Sequence, residues 1–266
     1  MVSSGTWQRR VADAFGPLGV VRPLGPGAWR VAAGRRDLVV KSGAAVADEA
    51  AGLRALSAVP GGMAVPPVLH AEGDLLVIPW IEPGRRTPSA EERLGCGLAR
   101  LHRTRADTWG GGSAWIGACP VDRATWGDGP AFYGSRMMDL ARRCGLEGTI
   151  EPVVERLGDL IPFGQPSLLH GDLWWGNVVW GAGHRPWVID PSVHGGHPEE
   201  DLAMLALFGD VPPRVTDAYV DEAPLADGWQ ERVPLWQIAP LLVHAVLFGG
   251  PYRSRVASAA RRYGGG

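Results

Sequence analysis

One short stretch, His170-Gly171-Asp172-Leu173-Trp174-Trp175-Gly176-Asn177, gathers side chains that could move a phosphoryl group. Phosphate transfer to an alcohol needs a carboxylate beside the incoming hydroxyl. It also needs oxygen ligands for magnesium, which neutralises the charge spread over the phosphates. Asp172 fits the first need: it would orient the hydroxyl and accept its proton. Asn177, five residues on, would bind Mg2+ through its amide oxygen, and His170 would hold the loop by hydrogen bonding. Eighteen residues after Asp172, Val188-Ile189-Asp190-Pro191 reads as a strand ending in a carboxylate, a second metal ligand. Upstream, Val39-Val40-Lys41 ends another strand. Its ammonium would grip the α- and β-phosphates of ATP while Glu49, on the following helix, holds it in place; Asp48 is a rival partner.

The spacing His-x-Asp-Leu-x-x-x-Asn matches the kinase catalytic loop, with Gly171 where protein kinases carry arginine. An isolated His-x-Asp is usually a turn, and a lone strand-end Asp often caps a helix. Four such elements in chain order are not explained that way. Composition sharpens the point: of 26 basic Lys and Arg residues only Lys41 is lysine, and Asn177 is the sole asparagine. Two weaker features complete the set. The turn Gly25-Pro26-Gly27 sits where a phosphate-covering loop should lie but lacks a third glycine, so an ordinary tight turn is the alternative. Ile78–Ile81 should be a hinge holding adenine. Pro79 has no amide hydrogen, which leaves its carbonyl and the Ile81 N–H as the available pair.

The elements that must position these groups can be read from pattern. Val20–Arg22, Trp29–Ala32 and Asp37–Lys41 read as strands, and Ala45–Ser57 as a helix. Val68–Glu72 and Leu75–Trp80 read as a hairpin around Gly73-Asp74, followed by a connector at Glu82–Arg86. Beyond it Ser89-x-x-Glu92 predicts a capping box opening a helix through Leu94, Leu98 and Leu101. Further helices are expected at 130–144, 151–160, 198–208, 213–220 and 229–247. Short strands are expected at 167–169, 178–180 and 186–189, and Gly264–Gly266 reads as a frayed tail. The fold class that follows is α+β: a protein-kinase-like two-lobed fold with a small β-rich lobe, residues 1–82, and a larger helical lobe, residues 83–266.

A chain of 266 residues with 45% hydrophobic and 20% charged side chains suits a soluble globular protein. The net charge of −2 gives no sign of a nucleic-acid or membrane partner. The start lacks a basic segment followed by a continuous apolar run, which predicts no secretory signal. The apolar run near Ile238–Phe248 is broken by Pro240 and His244 and is too short for a bilayer. Cys96, Cys119 and Cys144 are widely spaced, which argues against a disulfide framework and for a reducing cytoplasm. Residues 1–109 carry 14 basic and 10 acidic side chains, leaving 12 and 18 for the remainder. That split would suit phosphate on one side and a cationic substrate on the other.

Leu168–Asn177, LLHGDLWWGN, resembles the LLHGDLWxGN signature of the fructosamine kinases, also called ketosamine 3-kinases. Asp190-Pro191 with Gly196-His197-x-Glu199-x-Asp201-Leu202-Ala203 is similar to the family's DP…GHxExxLA segment, and Leu247–Arg253 to its HFGxGYR. The resemblance runs from about Val20 to Arg253. It implies ATP- and Mg2+-dependent phosphorylation of the 3-hydroxyl of fructosamines or ribulosamines, free or on glycated amino acids or proteins, in deglycation. It also implies Asp172 as base, Asn177 and Asp190 on metal, Lys41 on phosphate, and Trp174 packed against the sugar. One of Trp174 and Trp175 is expected to be buried instead. Here Leu247 replaces the family histidine, Pro251 replaces a glycine before Tyr252, and His244 remains as a substrate contact beside Tyr252.

Two rival functions stay open: a phosphotransferase for another hydroxylated amine such as an aminoglycoside, and a silent nucleotide-binding scaffold. The scaffold should have lost one of Lys41, Asp172, Asn177 or Asp190. The cluster His194–Asp201 could suggest a transition-metal site, but it lacks His-Glu-x-x-His geometry and reads as a helix start.

Overall fold

A computed structural model describes residues 6–122 and 124–265. Helix α1 (Thr6–Phe15) precedes strands β1 (Leu18–Gly25), β2 (Ala28–Ala33) and β3 (Arg36–Ser42). Helix α2 (Val46–Ser57), β4 (His70–Glu72) and β5 (Leu75–Pro79) follow, and the strands form one antiparallel sheet in the order β1-β2-β3-β5-β4. Tight turns drive this meander: Gly25 pairs with Ala28, Ala33 with Arg36 and Glu72 with Leu75. In β5 the period-2 alternation serves two buried faces. Leu75 and Val77 pack with Trp7 and Val11 of α1, whereas Leu76 and Ile78 pack with Leu53 and Leu56 of α2. Helix α1 is an addition to the expected elements. Trp7 and Val11, one turn apart, carry its apolar stripe, and Trp7 stacks on Trp29 at 4.7 Å.

The sheet ends at Pro79 and the next helix, α3 (Pro88–Arg103), opens the helical part. Its cap differs from the expected box. Thr87, not Ser89, is the N-cap, accepting from the Ala90 N–H at 3.3 Å, with Pro88 in the first turn. Short strands β6 (Trp109–Gly110), β7 (Trp115–Ile116), β8 (Cys119–Pro120) and β9 (Thr125–Trp126) lead to α4 (Gly129–Cys144). The helix expected at 151–160 is two pieces, α5 (Glu147–Val154) and α6 (Leu157–Leu160). Strands β10 (Ser167–Leu169), β11 (Val178–Gly181), β12 (Arg185–Val188) and β13 (His194–Gly196) carry the polar loops, and α7 (Glu199–Leu205) and α8 (Pro213–Glu222) follow. The helix expected at 229–247 breaks at Gln237 into α9 (Trp229–Trp236) and α10 (Ile238–Phe248). Pro240 supplies no amide donor where one continuous helix would need it. Helix α11 (Pro251–Tyr263) ends the described fold; Gly266 of the expected tail lies outside the described residues.

Two clusters matter for the site. The larger joins α4, α5, α10 and α11, and so fixes the helices that face the loops. The other is shared across the two parts of the chain: Leu53 and Ile78 on one side, Leu94, Leu98, Leu173 and Val188 on the other. Leu173 is fully buried in it. Burial of a side chain this size is worth about 1.5–3 kcal/mol, enough to pin the polar loop that contains it.

Candidate active site

The loop between β10 and β11 is held from behind. His170 is buried and its Nε2–H donates to the Ile189 carbonyl at 3.1 Å, while Nδ1 accepts from the Asp172 N–H at 3.3 Å. Only the neutral ring can do both, and burial lowers the His170 pKa accordingly. Gly171 has φ +80°, and a Cβ there would land on the Ser192 carbonyl, so this position admits no larger residue. Beneath the loop lies Asp201, at the start of α7 and 1% exposed. Its carboxylate accepts from the His170 N–H at 2.8 Å, the Gly171 N–H at 2.9 Å and His102 Nε2 at 3.1 Å. Burial alone would raise its pKa. The hydrogen bond and charge of His102, with the Gly171 N–H, reverse this and hold it below the usual carboxylate range.

At the front, Asn177 Nδ2 donates to the Asp172 carbonyl at 2.8 Å and to Asp172 Oδ2 at 3.3 Å. Strand register then brings Asp190 alongside. Val178 pairs with Val188, and the Ile189 N–H donates to the Asn177 carbonyl at 3.0 Å. Asp190 turns off the strand at φ +55°, a left-handed conformation that Asp tolerates better than most residues. Its carboxylate pairs with Lys41, which also donates to Glu49 Oε1 at 2.7 Å. Desolvation opposes the Lys41 charge, but the two carboxylates outweigh it and raise the pKa. The Lys41 ammonium therefore ties β3 to α2 and to the far end of the helical part. Asp48, the rival partner, instead accepts from the Ala114 N–H at 2.9 Å.

These groups face one cleft of about 1010 Å³. Lys41, Glu49, Asp172, Asn177 and Asp190 line it with Gly27 and are joined by ion pairs and hydrogen bonds into one group, the inner end; Trp174, His244 and Tyr252 also line it and are joined through Phe208 by ring contacts into another, the outer end. Burial, and then the negative charge of Asp190, push the Asp172 carboxyl up to about 7, against the hydrogen bond from Asn177. A carboxylate with that affinity for protons is suited to accept one from an alcohol near neutral pH. The donor set suits a hard divalent cation. Asn177 spends its amide nitrogen on Asp172, which leaves Oδ1 available, and Asp190 brings a carboxylate to the same cleft. Mg2+ is held by one or two carboxylates with other oxygens, and these residues fit it.

His170 hydrogen-bonds behind the loop, the placement expected of it, whereas Gly25, Pro79 and Ile81 do not line this cavity. Gly25 closes a two-residue hairpin turn with Pro26 and Gly27 at its tip, where Gly27 has φ +69°. A Cβ on Gly27 would meet the Ser42 carbonyl at 2.5 Å, so the turn is pinned to β3 and does not arch as a long loop. At the hinge the Trp80 N–H donates to the Asp37 carbonyl at 2.9 Å, so the adjacent Leu38–Pro79 pair is a non-hydrogen-bonded one. The Pro79 carbonyl is thereby turned off β3. Of the two tryptophans, Trp174 is 38% exposed and Trp175 packs into the shared core.

Sequence reasoning missed the supports. Asp201 stands with Glu199 and Glu200 in the first turn of α7, where acids complement a helix start without any further role, and His102 belongs to no motif. The available signal was position: His102 follows Leu98 by four residues, on the buried face of α3. The remaining polar residues near α7 are spent on each other. Glu200 accepts from the Tyr133 hydroxyl at 2.6 Å and Glu199 from Arg232 at 2.6 Å. Among the described residues no His, Cys, Asp or Glu group of three or more could hold a metal, so the His194–Asp201 cluster is a helix start with its supports. The three cysteines are free, and no helix among the described residues is long and apolar enough to cross a membrane.

Known proteins resemble this chain over most of its length. A Thermobifida fusca crystal structure superposes with a TM-score of 0.87 at 36% identity, covering 96% of this chain and 97% of that one. A "probable ketoamine kinase" of Synechocystis is 34% identical over 227 residues, 78% of this chain and 74% of the relative. Another from Enterococcus faecium is 33% identical over 199 residues, 70% of each. The Thermobifida protein is named, with a similar qualifier, a fructosamine-3-kinase. A choline kinase of Streptococcus pneumoniae, TM-score 0.66 at 13% identity over 97% of this chain and 95% of that one, shows the fold alone. That fold is the protein-kinase-like one, as expected. The sequence profile described as fructosamine kinase matches residues 28–263, and the chain belongs to that family of phosphotransferases.

Proposed function

We propose that the protein transfers the γ-phosphoryl group of ATP to a hydroxyl, the 3-hydroxyl, of a ketosamine such as a fructosamine or ribulosamine. The observation that carries this reading is the convergence of Lys41, Glu49, Asp190, Asn177 and Asp172 on one cleft from opposite parts of the chain. Lys41, fixed by Glu49, holds the α- and β-phosphates. Asn177 and Asp190 hold Mg2+, which when bound neutralises phosphate charge. Asp172 orients the acceptor hydroxyl and takes its proton, a role favoured by a pKa of about 7. Outside the cavity itself, the hinge would meet adenine with the Pro79 carbonyl and the Ile81 N–H, and Gly27, which lines the cleft at the turn that Gly25 closes, would stand above the phosphates. Trp174 offers an apolar face to the C–H side of the sugar, and His244 and Tyr252 stand beside it. The Nδ1–H of His244 donates to the Pro240 carbonyl at 2.7 Å, which leaves Nε2 as an acceptor for a hydroxyl or ammonium. Deglycation of small sugar–amine adducts in a reducing cytoplasm is the physiological role that fits.

The test is turnover of a synthetic fructosamine with Mg-ATP, with the phosphate position assigned by NMR. Phosphate on the 3-oxygen is expected. ADP release with an aminoglycoside but with no ketosamine would overturn the reading in favour of another amine phosphotransferase.

A further inference from the structure

The charged side chains of the cleft, Lys41, Glu49, Asp172 and Asp190, all stand at its inner end. Its outer end is walled by Trp174, Phe208 from the segment after α7, His244 and Phe248 of α10, and Tyr252 of α11. These rings form one connected set. Trp174 meets Phe208 edge-on at 6.0 Å, Phe208 meets His244 at 5.1 Å, and His244 and Phe248 meet Tyr252 at 4.9 and 6.0 Å. Yet the set is open to solvent: Phe208 is 40% and Phe248 65% exposed. Exposed aromatic side chains around a concavity continuous with a reaction centre are a binding surface rather than core. The Arg255 guanidinium lies 5.9 Å from the Phe208 ring, but it donates to the Leu207 carbonyl and does not line the cleft.

We propose that this outer end is a specificity site for the amine substituent of the acceptor, taking an uncharged apolar or aromatic group in preference to one bearing a carboxylate. The inference rests on reading the cleft as a sugar-amine kinase site. A carboxylate entering here would lose hydration with no lining cation to replace it, against ring faces that are themselves electron-rich. A phenyl group would instead add edge-to-face contacts to rings already arranged that way. Phe208 and Phe248 are thus specificity residues, acting beyond the sugar.

The experiment compares kcat/KM for ketosamines of one sugar made with phenethylamine, propylamine and β-alanine. The expected order is phenethylamine first and β-alanine last. Phe248→Ser, at an exposed position where folding is not at risk, should lower the phenethylamine-to-propylamine ratio by about 3- to 10-fold. A ratio unmoved by both Phe248→Ser and Phe208→Ser, or a β-alanine adduct as best substrate, would overturn the proposal. Calorimetric binding of phenethylamine itself separates this from the kinase reading. If no ketosamine is turned over, the kinase reading falls. The site then stands if Phe248→Ser weakens phenethylamine binding, and falls if it does not.

Discussion

At the inner end of the cleft the reacting groups are held by one another. Lys41 lies between Glu49 and Asp190, Asn177 donates twice to Asp172, and the loop backbone hangs on Asp201. At the outer end, rings touch rings at 5–6 Å and much of their surface faces water. The first arrangement is electrostatic and pre-organised, so small displacements there should be costly to the chemical step. The second is apolar and adaptable: its contacts are broad and no single geometry is enforced. On the proposed reading, reaction and selectivity are carried by different residues. Substitutions at the two ends should separate in kinetics, with the inner ones lowering kcat and the outer ones changing KM and substrate preference.

The sharpest break of that comparison is Asp172→Asn. Removing a general base should lower kcat by about 100- to 10,000-fold, with Mg-ATP binding retained as measured by calorimetry. Wild-type turnover in this variant would remove Asp172 from its role. Next is Lys41→Met. Losing the charge that meets the phosphates should cost roughly 100- to 1,000-fold in kcat/KM for ATP by steady-state kinetics. Lys41→Arg should not restore it, because a planar guanidinium cannot occupy the point between Glu49 and Asp190 in the same way. If either Lys41 variant affected only the acceptor KM, the inner end would not be the phosphate end.

Asp201→Asn probes the support rather than the cleft. The amide oxygen can accept only part of what the carboxylate accepts from His170, Gly171 and His102, leaving a buried donor short by about 1–3 kcal/mol. The pH dependence identifies the cause. Because the folded-state pKa of Asp201 is depressed, its contribution to stability is complete above the ordinary aspartate value of about 4 and is lost as pH falls through the folded value. Urea unfolding should show the wild type ahead of the variant at pH 7, with the gap narrowing as pH falls below about 4. A gap independent of pH would point to packing instead.

This residue also marks where the sequence stopped being informative. That Asp172, Asn177, Asp190, Lys41 and Glu49 come together in one cleft was legible, because phosphoryl transfer would demand those side-chain types and strand ends and loop spacing constrain where they fall. Asp201 and His102 meet no such demand. Asp201 serves backbone amides and His102 serves Asp201, and their meeting depends on how α3 and the start of α7 are brought to the loop after β10, which no local pattern encodes. In the fold, the β3, α2 and β5 assignments follow from period and turn chemistry, and the division of 229–247 at Gln237 was open to the same kind of reading, because Pro240 cannot donate to a continuous helix. Helix α1 was missed although Trp7 and Val11 sit one turn apart, because two apolar positions alone are too few to declare a helix.

The mildest change, Trp174→Leu, decides whether the two ends are as independent as their construction suggests. Trp174 lies only two residues from Asp172, yet its ring turns outward, over Gly176 and edge-on to Phe208, and it makes no hydrogen bond that positions the carboxylate. Replacing it should remove apolar area that the acceptor covers equally in the ground and transition states. Loss of about 1.4 kcal/mol would raise the acceptor KM roughly tenfold while kcat stays within a few-fold. If kcat instead fell with KM unchanged, the ring would be setting the angle at which the hydroxyl meets Asp172. The outer wall would then belong to the reaction as well as to recognition, because a group two residues from the base can shift it by the fraction of an ångström that in-line transfer does not tolerate.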